Sequence, residues 1–180
     1  MPRPTKQKAS PVPDLGPIQM MWQLGGPDYL PLRLLLVGKL IDLNIGRLLA
    51  AYSVLSVAEW RVVAQLAVLR TGSVREMARQ ACVDPAEVSR SVASLEKRGF
   101  VERQLNHRDR RSPRFSLTAA GTANFEMFRP HWRRLQKALI APLTAAETRA
   151  TEHAITLFAR ACLDFLACHD AALVSFAEKL

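Results

Sequence analysis

The sequence predicts a mainly α-helical chain with one small β-hairpin, and three observations carry that prediction. Ser-x-x-Glu and Asp-Pro-x-Glu start signals recur ahead of runs with helical apolar spacing. A single stretch, Phe100 to Leu117, alternates as paired strands would, around a polar turn. The 25 Lys and Arg against 16 Asp and Glu leave a charge of +9, which favours an anionic partner through counterion release.

A chain of 180 residues, 49% hydrophobic, suffices for one compact domain plus a tail or dimerisation element. Residues 1–26 are rich in Pro and polar residues, carry Arg3, Lys6 and Lys8, and read as a mobile basic arm whose end Met20, Met21 and Trp22 anchor. Asp28 then reads as the cap of a long helix over about 29–51, with Pro31 tolerated in its first turn. That helix has two apolar stripes, one through Leu32, Leu36, Leu40 and Leu43 and one through Leu34, Val37, Ile41 and Ile45, so it needs two partners.

Ser56 with Glu59 is a capping box that opens a helix over about 57–70, with Trp60, Val63 and Ala67 at helical spacing before Gly72. Ser73 with Glu76 repeats the device for a short helix over 74–81. Asp84, Pro85 and Glu87 supply a cap, a first-position Pro and an acid for a helix over 85–98. Its inward stripe is Val88, Val92 and Leu95, which leaves Ser89, Arg90, Ala93, Ser94 and Lys97 on other faces. Gly99 ends it, and strands over 100–105 and 114–117 flank a turn bearing His107, Arg108, Arg110 and Arg111 with Asp109 as the one acid. Thr118 caps a helix over about 119–140, and Thr144 with Glu147 starts a last helix to about 168.

Helix, turn, helix, hairpin, long helices is the order of a winged helix-turn-helix domain, here residues 55–118, between helical dimerisation segments 28–52 and 119–180. Small hydroxyls permit close approach to the major groove, and Arg donates two hydrogen bonds to guanine. The candidate DNA contacts are accordingly Ser73, Pro85, Ser89, Arg90, Ser94 and Lys97, with Arg108, Arg110 and Arg111 at the hairpin tip. A solvated helix face is the alternative for the 85–98 stripe, and a surface ion pair for the tip. Arg129, Arg133, Arg134 and Lys137 read first as a solvated face, with a phosphate contact or an anionic ligand site as alternatives.

The wording of Leu55-Ser56-Val57-Ala58-Glu59-Trp60, of Asp84-Pro85-Ala86-Glu87-Val88-Ser89-Arg90 and of Leu95-Glu96-Lys97-Arg98-Gly99 resembles the MarR (multiple antibiotic resistance regulator) family. The most specific phrase is Asp109-Arg110-Arg111 followed by Leu117-Thr118-x-x-Gly121. The resemblance spans roughly residues 30–166. It implies a homodimeric, ligand-responsive repressor of duplex DNA with a pseudo-palindromic operator, and an Asp109 that orients Arg111 into the minor groove. Twofold symmetry would set two recognition helices about 34 Å apart. It also implies a cleft for a small aromatic or phenolic carboxylate, and Arg33, Arg47, Trp60, His131 and Trp132 are residues of suitable type, although Trp60 reads first as core and surface pairing is the alternative for the two Arg residues.

Other functions find less support. No phosphate-binding Gly loop, nucleophile elbow or HExxH occurs, so an enzyme is not expected, nor a cofactor. Cys82, Cys162 and Cys168 lack disulfide or metal-ligand spacing and read as packing residues, so no metal is expected. No apolar run spans a bilayer and no signal-peptide pattern occurs, so the expected location is cytoplasmic, with no membrane partner. A ligand-independent architectural DNA binder remains the nearest alternative.

Overall fold

A computed structural model of the chain describes residues 14–23, 29–104 and 113–177, with side chains through residue 167. A short 3-10 turn, Gly16–Ile18, leads into α1 (Gln19–Gln23), and α2 (Leu30–Tyr52) follows. Next come α3 (Val57–Leu69), β1 (Gly72–Ser73), α4 (Val74–Ala81) and α5 (Pro85–Lys97). β2 (Val101–Gln104), β3 (Arg114–Leu117), α6 (Ala119–Ile140) and α7 (Ala145–Ala177) complete the order.

The starts of the helices follow the caps. Ser56 and Ser73 each accept from the backbone N–H three residues on, while Glu59 and Glu76 each accept from the Ser N–H in return, which closes two reciprocal boxes. Asp84 accepts from the Ala86 N–H at 2.8 Å and Pro85 fills the first helical position. Such a cap contributes about 1 kcal/mol. Gly99 ends α5 with φ +73°, which lets the Phe100 N–H reach back to the Leu95 carbonyl at 2.9 Å.

Two expectations are corrected. Tyr29, not Asp28, holds the cap position of α2 and makes no side-chain cap bond there; Asp28 lies outside the described residues. At the end of the N-terminal segment residues 16–23 are helical, and the Trp22 carbonyl accepts from Arg33 Nε at 3.2 Å. α7 runs to Ala177, well past 168, because nothing in the sequence breaks it earlier.

The hairpin supplies two strands of a three-stranded antiparallel sheet in the order β1-β3-β2, with β3 in the centre. Val101 faces Leu117 and Gly72 faces Phe115 in register. The two-residue β1 joins the start of α4 to the wing, and two residues are too few to display any period in the sequence. Below the sheet, Leu66, Met77, Leu95, Val101 and Phe128 are fully buried, drawing α3, α4, α5, β2 and α6 into one core.

Gly121 shows why the Leu-Thr-x-x-Gly phrase has its form. A Cβ at that position would overlap the Phe100 carbonyl oxygen. Thr118 caps α6 through the Gly121 N–H at 3.0 Å and donates its hydroxyl to the Gly99 carbonyl at 2.7 Å. The phrase therefore clamps the start of α6 onto the turn that ends α5.

Candidate nucleic-acid interface

On α5, Val88, Ser91, Val92 and Leu95 are buried against α3 and α4, an inward stripe that turns Pro85, Ser89, Arg90, Ala93 and Lys97 to the surface. These exposed residues include a small hydroxyl and two cations on one helix with no described acid paired to them, a set suited to phosphate and base edges. On the neighbouring α4, Arg75 and Arg79 lie one turn apart and are exposed. The sequence reading missed both. Their signal was present in the polar positions left once Val74, Met77 and Ala78 are assigned inward.

Two predicted contacts are turned to other work. Ser94 donates its hydroxyl to Glu59 Oε1 at 2.6 Å, so it faces α3 rather than the free surface. Ser73 is 6% exposed and its hydroxyl is held by the Glu76 N–H in the α4 capping box. Arg108, Asp109, Arg110 and Arg111 lie outside the described residues.

Glu59 is the centre that seats α5. Its Oε2 accepts from the Ser56 N–H at 2.8 Å, while its Oε1 accepts from Ser94 and from Arg98 Nη1 at 2.9 Å. Burial pushes the Glu59 carboxyl up, but the hydrogen bonds from Ser94, the Ser56 N–H and Arg98, together with the Arg98 charge, outweigh it and hold it below its ordinary value. Arg98 also donates to the Val54 carbonyl at 2.8 Å and lies over the Phe100 ring. One buried acid thus ties the first turn of α3, the last turn of α5 and the chain before α3 together.

The root of the wing is fixed in a similar way. Arg114 on β3 donates to the Thr71 hydroxyl and carbonyl and lies 3.0 Å from the Glu76 carboxylate. The Ser73 N–H and Arg114 hold the Glu76 carboxyl below its ordinary value. Arg103 on β2 lies over the Phe115 ring and 3.7 Å from Glu96 of α5. The wing strands are thereby locked to both helices of the helix-turn-helix.

The five residues named for an aromatic acid are not brought together. Trp60 is 4% exposed, stacks on Phe125 and meets Phe128 edge-on, so it belongs to the core. Trp132 packs against the same core, and His131 stacks on Tyr52 at 3.8 Å between ring centres. Arg33 binds the Trp22 carbonyl and lies over its ring. Arg47 alone opens onto a groove of about 740 Å³ between α2, α3 and the first turn of α5, lined also by Lys39, Asp42, Arg61 and Glu87. Within it Arg61 donates to Asp42 at 2.7 Å. The sequence separates α2 from α5 by some thirty residues, so no local pattern announces that groove. Among the described residues no helix is long and apolar enough to cross a membrane.

Comparison with known proteins agrees with this architecture. Residues 55–112 match the model of the MarR family. Among solved structures, a MarR/EmrR family transcriptional regulator from Acinetobacter sp. ADP1 superposes with a TM-score of 0.70 at 20% identity, over 76% of this chain and 96% of that one. A single-site mutant of MarR from E. coli, complexed with operator DNA, gives 0.62 at 24% identity, over 73% and 95%. The PcaV transcriptional regulator from Streptomyces coelicolor, in complex with its natural ligand, gives 0.60 at 19% identity, over 70% and 91%. No curated protein gives a match.

Proposed function

We propose, from the premise that residues 55–112 are a MarR family domain, that this chain is a sequence-specific regulator of transcription that binds duplex DNA as a homodimer and releases it on binding a small effector. The observation that carries the reading is the exposed face of α5: Pro85, Ser89, Arg90 and Lys97 project from a helix whose opposite face is fully committed to the core. Ser89 and Arg90 enter the major groove, with Lys97 on phosphate and Arg108 and Arg110 of the wing tip alongside the backbone, while Asp109 orients Arg111 into the minor groove. The operator complex of the E. coli MarR mutant supports this mode of binding for a chain of the same fold.

A second copy supplies what the helices outside 55–112 lack. On α2, Leu35, Val37 and Leu40 are exposed, and on α7 Ile155, Leu157, Leu163, Phe165 and Leu166 are exposed. Apolar helix faces of this extent are stable in water when another chain covers them. The dimer then presents two α5 helices to a pseudo-palindromic site, and repression follows when that site overlaps a promoter. The groove between α2 and α5 is the effector's place, since it touches a dimerisation helix and the recognition helix at once; the ligand complex of PcaV supports effector binding within this fold.

Electrophoretic titration of the full chain on fragments from around its own gene, at two salt concentrations, tests the reading. Expected is one protected pseudo-palindrome and an affinity that falls steeply, by roughly a thousandfold or more between 50 and 200 mM salt, for six to ten phosphate contacts. Uniform affinity for all duplexes would favour the architectural alternative, and no binding would overturn both.

A further inference from the structure

We propose that the effector of the groove between α2, α3 and the start of α5 is amphoteric, with an anionic group held by Arg47 and a cationic group held by Glu87. The proposal deepens the ligand-responsive reading above and rests on it. A volume of about 740 Å³ is ample for a small molecule. The floor is apolar, formed by Leu43, Gly46 and Ala50 of α2 with Val57 and Ala58 of α3. Such a floor suits the ring or chain that separates two charged ends.

The charges of the rim decide the class. Arg61 and Asp42 face each other at 2.7 Å and neutralise one another. That leaves Lys39 and Arg47 on one side and Glu87 on the other, and among the described residues none of the three has an ion-pair partner. Lys39 and Arg47 lie eight residues apart on α2, about 12 Å along its axis, so they bracket the floor from one wall. Glu87 stands in the first turn of α5 on the opposite wall. A plain carboxylate satisfies Arg47 but brings its charge toward Glu87, and a plain amine has the converse conflict. A molecule with both groups meets each wall with the opposite charge, in charge-assisted hydrogen bonds.

The placement of Glu87 also gives such a ligand its leverage. Ser89 and Arg90 follow it by two and three residues on the same rigid helix. A ligand that spans from α2 to Glu87 therefore fixes the recognition helix against the dimerisation helix, and binding at the groove and at the operator become coupled.

Calorimetric titration of the full-length chain with three matched probes tests the proposal: 4-(aminomethyl)benzoate, 4-methylbenzoate and 4-methylbenzylamine, each on the natural protein and on the Glu87→Gln and Arg47→Gln variants. Expected on the natural protein is an affinity for the amphoteric probe about tenfold or more above that for either singly charged one. Glu87→Gln should abolish its advantage over 4-methylbenzoate while 4-methylbenzoate itself binds no more weakly. Arg47→Gln should weaken both acids and leave the amine unaffected. If 4-methylbenzoate binds the natural protein as tightly as the amphoteric probe, the groove takes plain acids: the amphoteric class is overturned while the effector reading stands. If none of the three binds, the groove is not the effector site and both fall.

Discussion

Arg98, the residue that caps the end of α5, donates from Nη1 to the buried Glu59 carboxylate of α3 at 2.9 Å. Glu59 is 7% exposed, and the same oxygen also receives the Ser94 hydroxyl. An acid so placed cannot turn to water when its partner is removed, so the pair fixes the angle of α5 rather than merely decorating its end.

Arg98→Ala should lower stability by about 1–2 kcal/mol, less than the several kcal/mol of a fully buried pair because Arg98 is about one-third exposed and water compensates part of the loss. Urea unfolding measures it. Operator affinity should fall as well at a temperature where the variant is fully folded, because α5 is no longer held at its last turn. Unchanged affinity would show that core packing alone sets the helix.

Acid should unfold the protein through the same acids. Glu59 and Glu76 titrate lower in the folded chain than in the unfolded one. Their contribution is therefore complete above the unfolded carboxylate value, about 4.3, and is lost as pH falls through their folded values. Urea midpoints between pH 3 and 7 should decline below about pH 5. Glu59→Gln should begin lower at neutral pH and show a shallower decline; an equal slope would assign acid sensitivity elsewhere.

Gly121→Ala should destabilise by about 1–3 kcal/mol, since the added methyl meets a backbone carbonyl that cannot step aside. Gly99→Ala should cost about 1 kcal/mol for a different reason, its φ of +73° with open space around it. Thermal melts of the two variants give the comparison, and Gly121→Ala should melt at the lower temperature.

Arg90→Ala should weaken operator binding by about 1–3 kcal/mol if it reads a base, with relaxed preference at one position of each half-site. Lys97→Ala should weaken all duplexes alike and reduce the salt slope by about one. Both side chains are exposed, so neither melting temperature should move by more than a degree or two. A large fall in either would mean the residue supports the fold.

The starts of α3, α4, α5, α6 and α7 were legible in the sequence because a cap is a local device: Ser56 and Glu59, Ser73 and Glu76, Asp84 and Pro85, Thr118, and Thr144 and Glu147 each act within one turn of chain. The inward stripe of α5 was legible for a related reason, since helical spacing alone brings Val88, Val92 and Leu95 to one side. What lies across from a side chain has no local signature. Ser94 looked like a free hydroxyl until α3 placed Glu59 opposite it, 35 residues back in the chain. Trp60 read as core from its helical spacing, but only the fold shows that α6 supplies its partners Phe125 and Phe128. The strand β1 exists because β3 pairs with it, and the groove exists because α2, α3 and α5 meet there. By itself the sequence determined the capped helices, their order and the inward stripe of α5, all consequences of hydrogen bonds and periodicities spanning a few residues. Only the tertiary structure decided which polar side chains remain free for a partner, because that depends on which distant element arrives to claim them.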